Sequence, residues 1–156
     1  MSTLVDVRTI PRSRHCPQFN SEPFARALRE AGIGYRHASG LGGLRKPRRD
    51  SPNGAWRNDS FRGFADYMQT EEFAEALSEL EREAAAGPVA IMCAEAVPWR
   101  CHRSLIADAL AARGHAVMHI MAPGSARAHK LTPWARVEGF RVTYPPAAVA
   151  PPGPPG

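Results

Sequence analysis

Lysine is almost missing from this chain of 156 residues: eighteen of its twenty basic residues are arginine. Arginine forks onto carboxylates and phosphates with paired hydrogen bonds, where lysine is a point charge, so the bias points toward anion recognition. A GC-rich coding sequence, which also raises alanine, proline and glycine, is the competing explanation. Cysteine is scarce as well, and Cys16, Cys93 and Cys101 are odd in number and unevenly spaced. That excludes a disulfide framework and leaves thiols as the expectation. No run comes near the roughly eighteen consecutive apolar residues of a helical membrane span, so no membrane partner is expected. The opening "MSTLVDVRTI" has no basic region followed by an apolar core and cleavage site, which argues against a secretory signal and for a cytoplasmic protein.

What is present is unevenly placed. The net charge is +5, yet residues 1–62 hold twelve Arg and Lys against five Asp and Glu, while the remainder holds eight against ten. A basic first portion suggests an anionic small molecule or nucleic acid as partner.

Periodicity predicts an α/β fold. "LVDV" at 4–7 reads as a strand, and Ser21 as N-cap of a helix with Phe24, Ala27, Leu28 and Ala31 on its apolar face. "IGYRHA" at 33–38 is a second strand. Residues 39–58 form a long basic loop, rich in glycine and proline, in which Leu44 and Trp56 are the expected anchors. "SFRGFADYM" suggests a short helix. A longer one follows Thr70, with Phe73, Ala76, Leu77, Leu80 and Ala84 as its stripe. "PVAIM" at 88–92 is a buried-type strand, the helix after it points Leu105, Ile106, Ala109 and Leu110 inward, and "AVMHI" at 116–120 is another strand. Strands alternating with helices imply a mostly parallel sheet with helical crossovers, Rossmann-like and three-layered, with a last strand near Phe140–Tyr144. A single domain over 1–144 and a disordered Pro/Gly-rich tail over 145–156 complete the expectation.

In such sheets ligands bind where strands give way to helices. Asp6, Arg8, Arg12 and Arg14 cluster after the first strand, and Cys93, Glu95, Arg100, Cys101, His102 and Arg103 after "PVAIM". The helix beginning within the second cluster offers free N–H groups and a positive dipole end to an anion or thiolate. Cys93, Glu95, Cys101 and His102 are the candidate reactive groups; Asp6, Arg8, Arg12, Arg14, Arg57, Arg100 and Arg103 are the candidate ligand-binding ones. Each has a plainer reading too. Cys93 could be a small buried hydrophobe, His102 a loop-fixing hydrogen bonder, and Asp6 a strand carboxylate paired with Arg8 or Arg103. Asp108 carries the same double reading. Trp56 and Trp99 could stack bases or simply anchor loops. Six residues lie between Cys93 and Arg100, one too many for the phosphate loop of cysteine-dependent phosphatases, and Pro98 and Trp99 interrupt it. The thiols and His102 lack the paired spacing and fourth ligand of a zinc site, so no metal is expected. "GLGGLRK" is no phosphate loop, because its spacing and context are wrong, and no cofactor is expected.

At these residues the sequence resembles the domain of unknown function 488 family. "VDVRTIPRSR", "PQFN", "GLGGLRKPR", "WRN", "FRGFADYM", "MCAEAVPWRCHRSLIAD", "LTP" and "VTYP" look like its signature segments, from Leu4 to Pro145. The resemblance implies an α/β fold with the "DVR" and "CAE…CHR" elements gathered in one pocket, and no settled reaction. It also implies a strand and helix ahead of "LVDVR", where Met1 stands only three residues before Leu4: either the start is assigned too late or that unit is missing, which would expose a sheet edge.

Three functions follow as expectations. The first is an anion-binding pocket that holds or processes a phosphorylated or carboxylated, nucleotide-like ligand. The second is a nucleic-acid-binding module using the basic 39–62 loop, and the third a non-catalytic scaffold. Oligomeric state is not readable from these residues.

Overall fold

In the computed structural model, which describes residues 2–8, 20–93 and 101–146, the chain forms two compact units and enters each of them twice. The first is Met1–Gly43 with Glu71–Ala96, the second Leu44–Thr70 with Val97–Gly156. The fold is mixed α/β, with four α-helices among the described residues. Residues 147–156, most of the proline-rich tail, lie outside them.

The first unit is built on β1 (Thr3–Asp6), β2 (Gly34–His37) and β3 (Val89–Met92), a parallel sheet in the order β2-β1-β3. Parallel neighbours need long crossovers. Helix α1 (Ser21–Glu30) lies between β1 and β2 in the chain, and α3 (Glu71–Ala86) precedes β3. The register aligns Asp6 with His37 on one side and Met92 on the other, so these three mark the carboxyl ends of the strands. Among the described residues, Val5, Val7, Ala38, Leu41, Phe73, Leu77 and Leu80 are the unit's buried apolar side chains. The α3 stripe is therefore as predicted through Leu80; Ala84, one turn on, is exposed.

Three expectations need correction here. The residue at the N-cap of α1 is Asn20, without a side-chain cap bond, and Ser21 is the first helical residue. No α1 residue is buried: Ala27 and Ala31 are exposed, and Phe24 and Leu28 are half-buried. Phe24 meets Tyr35 edge-on, with ring centroids 5.8 Å apart, and this contact rather than a full stripe seats the helix beside β2. Third, β3 is not sealed, since Ala90 is exposed and its neighbours are half-buried.

The second unit holds α2 (Asp59–Tyr67), α4 (Arg103–Ala112) and two antiparallel hairpins, β4 (Met118–Ala122) with β5 (Ser125–Ala128), and β6 (Arg136–Glu138) with β7 (Arg141–Thr143). The run at 116–120 thus contains a strand, but β4 does not extend the parallel sheet. Only Pro123 and Gly124 separate it from β5, and Gly124 takes the positive φ of 74° that a tight turn needs, so local antiparallel pairing results. Helix α4 is apolar nearly all round, and every residue from Ser104 to Leu110 is buried.

The long basic loop is ordered, and of the two anchors its composition suggests only one holds it. Leu44 is 70% exposed, whereas Leu41, in a 3-10 turn at Ser39–Leu41, is fully buried. From Leu44 onward, in the second unit, backbone and polar contacts hold the chain. A Cβ on Gly63 of α2 would overlap the Arg45 carbonyl, so only glycine lets the loop cross the helix so closely. Asp66, buried in α2, accepts from Arg48 N at 2.7 Å, Ser51 Oγ at 2.6 Å and Asn53 Nδ2 at 2.7 Å. Asn53 Oδ1 in turn accepts from Tyr144 N at 2.8 Å. Trp56 does serve as an anchor: its ring lies 4.9 Å from Phe61, 5.2 Å from Trp134 and 5.4 Å from Tyr144.

Candidate functional site

At the carboxyl end of β1, Asp6 is wholly buried and Arg8 is 7% exposed. Buried charges need partners, and here the pair is bidentate. Arg8 Nε donates to Oδ1 and Oδ2 of Asp6 at 2.9 and 3.0 Å, and Nη2 donates to Oδ2 at 2.6 Å. The Arg8 amide adds a bond to Oδ1 at 3.0 Å, and Tyr35 OH donates to Oδ2 at 2.6 Å. Of the two partners foreseen for Asp6, Arg8 is thus the one it binds in this unit. Burial by itself would raise the Asp6 pKa, but the bonds from Arg8 and Tyr35 outweigh it and hold the carboxyl below its ordinary range. Burial, with the Asp6 charge added, pushes Tyr35 up to about 12. His37 Nε2 donates to the Arg8 carbonyl at 2.6 Å, which fixes the turn off the strand. Arg8 therefore arrives at the sheet end with its charge balanced by Asp6. Cys93 follows β3 directly and is half-buried.

In the second unit the start of α4 carries the "CHR" residues. Cys101 is 5% exposed, and its Sγ accepts from the Arg103 amide at 3.4 Å and lies 3.6 Å from His102 Nδ1. Ser104 closes the first turn, its amide and its Oγ both donating to the Cys101 carbonyl at 3.0 Å. His102, half-buried, packs edge-on against Phe64 with centroids 4.9 Å apart. No acidic residue occupies this first turn, so no carboxylate there sits against the positive end of the helix dipole.

One and a half turns further, Asp108 is fully buried and accepts four hydrogen bonds, the full complement of a carboxylate. They come from His129 Nε2 at 2.7 Å, Thr132 N at 3.1 Å, Thr132 Oγ1 at 2.7 Å and Tyr144 OH at 2.7 Å. Behind His129 stands His119, with Nε2 of His119 at 2.7 Å from Nδ1 of His129. Burial and then the Asp108 charge drive the Tyr144 pKa far upward, so this phenol stays protonated.

The structure thus gathers Asp6 and Arg8 in the first unit and Cys101, His102 and Arg103 in the second. Arg57 lies on the exposed loop of the second unit. Arg12, Arg14, Glu95 and Arg100, together with Cys16 and Trp99, lie outside the described residues. Among the described residues no cluster of three or more His, Cys, Asp or Glu is arranged to hold a metal ion, and no helix is long and apolar enough to cross a membrane.

Sequence reasoning missed His119, His129, Thr132 and Tyr144 as partners of Asp108. The clue was the alternation of β4. Met118 and Ile120 are exposed while His119 and Met121 are half-buried, so one of the inward positions of that strand is a histidine.

A family model described as Domain of unknown function DUF488 matches residues 1–110. No curated protein and no solved structure matches the chain.

Proposed function

The chain belongs to the DUF488 family, and from that premise we propose that it binds or processes a small phosphorylated or carboxylated, nucleotide-like ligand at the start of α4. The carrying observation is the make-up of that turn: a ten-residue helix whose first turn has no acid, opening on Arg103 and on an amide already donating to the Cys101 sulfur at 3.4 Å. The first-turn amides of Arg103, Ser104 and Leu105 already donate to the Cys101 sulfur, the Cys101 carbonyl and the His102 carbonyl, so in this reading the helix contributes its positive dipole end beside Arg103. In this reading Arg103, with Arg100, clamps the anion. Cys101 and His102 are the groups placed to react with it, and Cys93 and Glu95 are the further candidates from the same sequence segment. Parallel strands with helices between them support a Rossmann-like, three-layer arrangement as the frame.

Two observations favour this reading over nucleic-acid binding through the basic loop. Trp56 sits in an aromatic cluster rather than as an open platform, and Arg48 and Arg62 have carboxylate partners in Asp50 and Asp59, at 2.9 and 2.7 Å.

Phosphorus NMR of inorganic phosphate titrated with the protein is the test. Arg103→Gln is expected to weaken binding about tenfold or more, the usual worth of a charge-assisted bond. Phosphate bound is expected to slow alkylation of Cys101 by iodoacetamide. Equal affinity in wild type and Arg103→Gln, with no protection of Cys101, would remove α4 as the anion site.

A further inference from the structure

The line of side chains Asp108, His129 and His119 has no part in the anion site as described, and it lies within one unit. With His129 neutral, the line's hydrogen-bond directions follow. The Asp108 carboxylate oxygen accepts, so His129 carries its proton on Nε2 and presents a lone pair at Nδ1. His119 then donates from Nε2 to that lone pair. The lone pair of His119 is left on Nδ1, at the half-buried end of the line.

Three further features set the behaviour of His119. Burial lowers its pKa, the neighbouring His129 ring and the Arg103 charge lower it further, and Asp108 opposes them. Arg127 stands directly opposite His119 in the β4–β5 register and adds another cation on the hairpin. The charged and titratable groups around the ring are therefore His129, Arg127, Arg103 and Asp108, with Tyr144 bonded to Asp108 from beyond β7. His119 is thereby kept neutral around neutral pH, the state a base requires. The members His119, His129, Thr132 and Tyr144 also lie outside the stretch 1–110 that the family model matches.

We propose that His119 is a general base at the end of an Asp108–His129–His119 relay, serving the phosphorylated or carboxylated ligand held at Arg103. This rests on the anion-binding reading above. The step is a proton transfer. Nδ1 of His119 takes the proton of a hydroxyl or water positioned beside the ligand, whose O–H electron pair stays on oxygen. The imidazolium keeps its Nε2 proton on His129, and Asp108 balances the positive charge through the His129 ring. His119 would touch the reacting group; His129 and Asp108 are positioning residues, which fix the tautomer and stabilise the imidazolium. A bridge that only pinned the hairpin to α4 would give His119 no reason to respond to a bound anion.

Long-range proton–nitrogen NMR of the imidazoles, recorded on the full chain across pH with and without inorganic phosphate, tests this. Both His119 and His129 are expected as Nε2–H tautomers, with the His119 titration midpoint below the ordinary histidine range. Phosphate is expected to raise that midpoint by about one pH unit in the wild type, as an adjacent opposite charge does, and to leave it unmoved in Arg103→Gln. His129→Gln is expected to release His119 into a mixture of tautomers. Should that variant fail to fold, the wild-type tautomers and phosphate response still decide. A His119 Nδ1–H tautomer overturns the relay. Phosphate that binds without moving His119 also overturns it, while leaving the anion site standing. Phosphate that does not bind at all removes both readings.

Discussion

At the scale of single residues, the Asp6–Arg8 pair governs the end of β1. Asp6→Asn leaves Arg8 buried without its counter-charge and is expected to cost about 3–5 kcal/mol. The pH dependence follows from the depressed Asp6 pKa. A carboxyl held lower in the folded state than in the unfolded one stabilises the fold above its unfolded value, near 4. That contribution is lost as pH falls through the folded value. Urea midpoints measured between neutral pH and about pH 3 should therefore fall with acidification in the wild type and less steeply in Asp6→Asn; identical slopes would refute the pairing. That Asp6 needs a cation was legible from sequence, because a charge inside an apolar strand needs a partner. Tyr35 as its third donor was not, since 29 residues separate them and only the β1–β2 register brings them together. The same is true of Asp108 and Tyr144, 36 residues apart.

Among the elements, the helices and the parallel pairing of β1, β2 and β3 were legible, and the pairing of β4 was not. Apolar residues at i, i+4 and i+7 placed α3, and the inward set Leu105, Ile106, Ala109 and Leu110 placed α4, although the structure buries Ser104, Ala107 and Asp108 as well. The partner of β4 could not be read from its apolar residues, of which Met118, Ile120 and Ala122 are exposed; the two-residue Pro123–Gly124 connection decides it. Loop order was legible only in kind. Nothing in the composition of residues 44–58 distinguishes Asn53, which is wholly buried, from the exposed Leu44. The cause lies in α2, where Gly63 admits the loop backbone and Asp66 collects its donors. Gly63→Ala is accordingly expected to destabilise the protein by more than about 2 kcal/mol, at the upper end for overpacking. Thermal denaturation would show this as a lowered midpoint, whereas Gly32→Ala, which meets no atom within 4 Å, should cost only its backbone strain at φ 79°. Equal effects at the two glycines would deny the close crossing at Arg45.

For the whole molecule, the excess of positive charge in residues 1–62 was the strongest signal in the composition, and the structure gives part of it internal employment. Arg8 is neutralised by Asp6, Arg36 by Glu83, Arg48 by Asp50, and Arg62 by Asp59. Under the proposed anion-site reading, these pairs leave the basic loop a poorer surface for a polyanion. Binding to a single-stranded oligonucleotide is expected to vanish by about 0.2 M salt, as counterion release dictates, while phosphate binding persists. Fluorescence anisotropy with a labelled oligonucleotide, set beside the phosphorus titration, compares the two directly. Oligonucleotide affinity that survives at that salt would favour the basic loop as the functional surface.

The most direct measurement of the central claim is crystallographic: electron density from crystals soaked in inorganic phosphate, collected for wild type and for Arg103→Gln. The account predicts an anion at the first turn of α4, within hydrogen-bonding distance of the Arg103 guanidinium, and absent in the variant. Phosphate bound elsewhere and indifferent to Arg103, or density at that turn unchanged in Arg103→Gln, would contradict it.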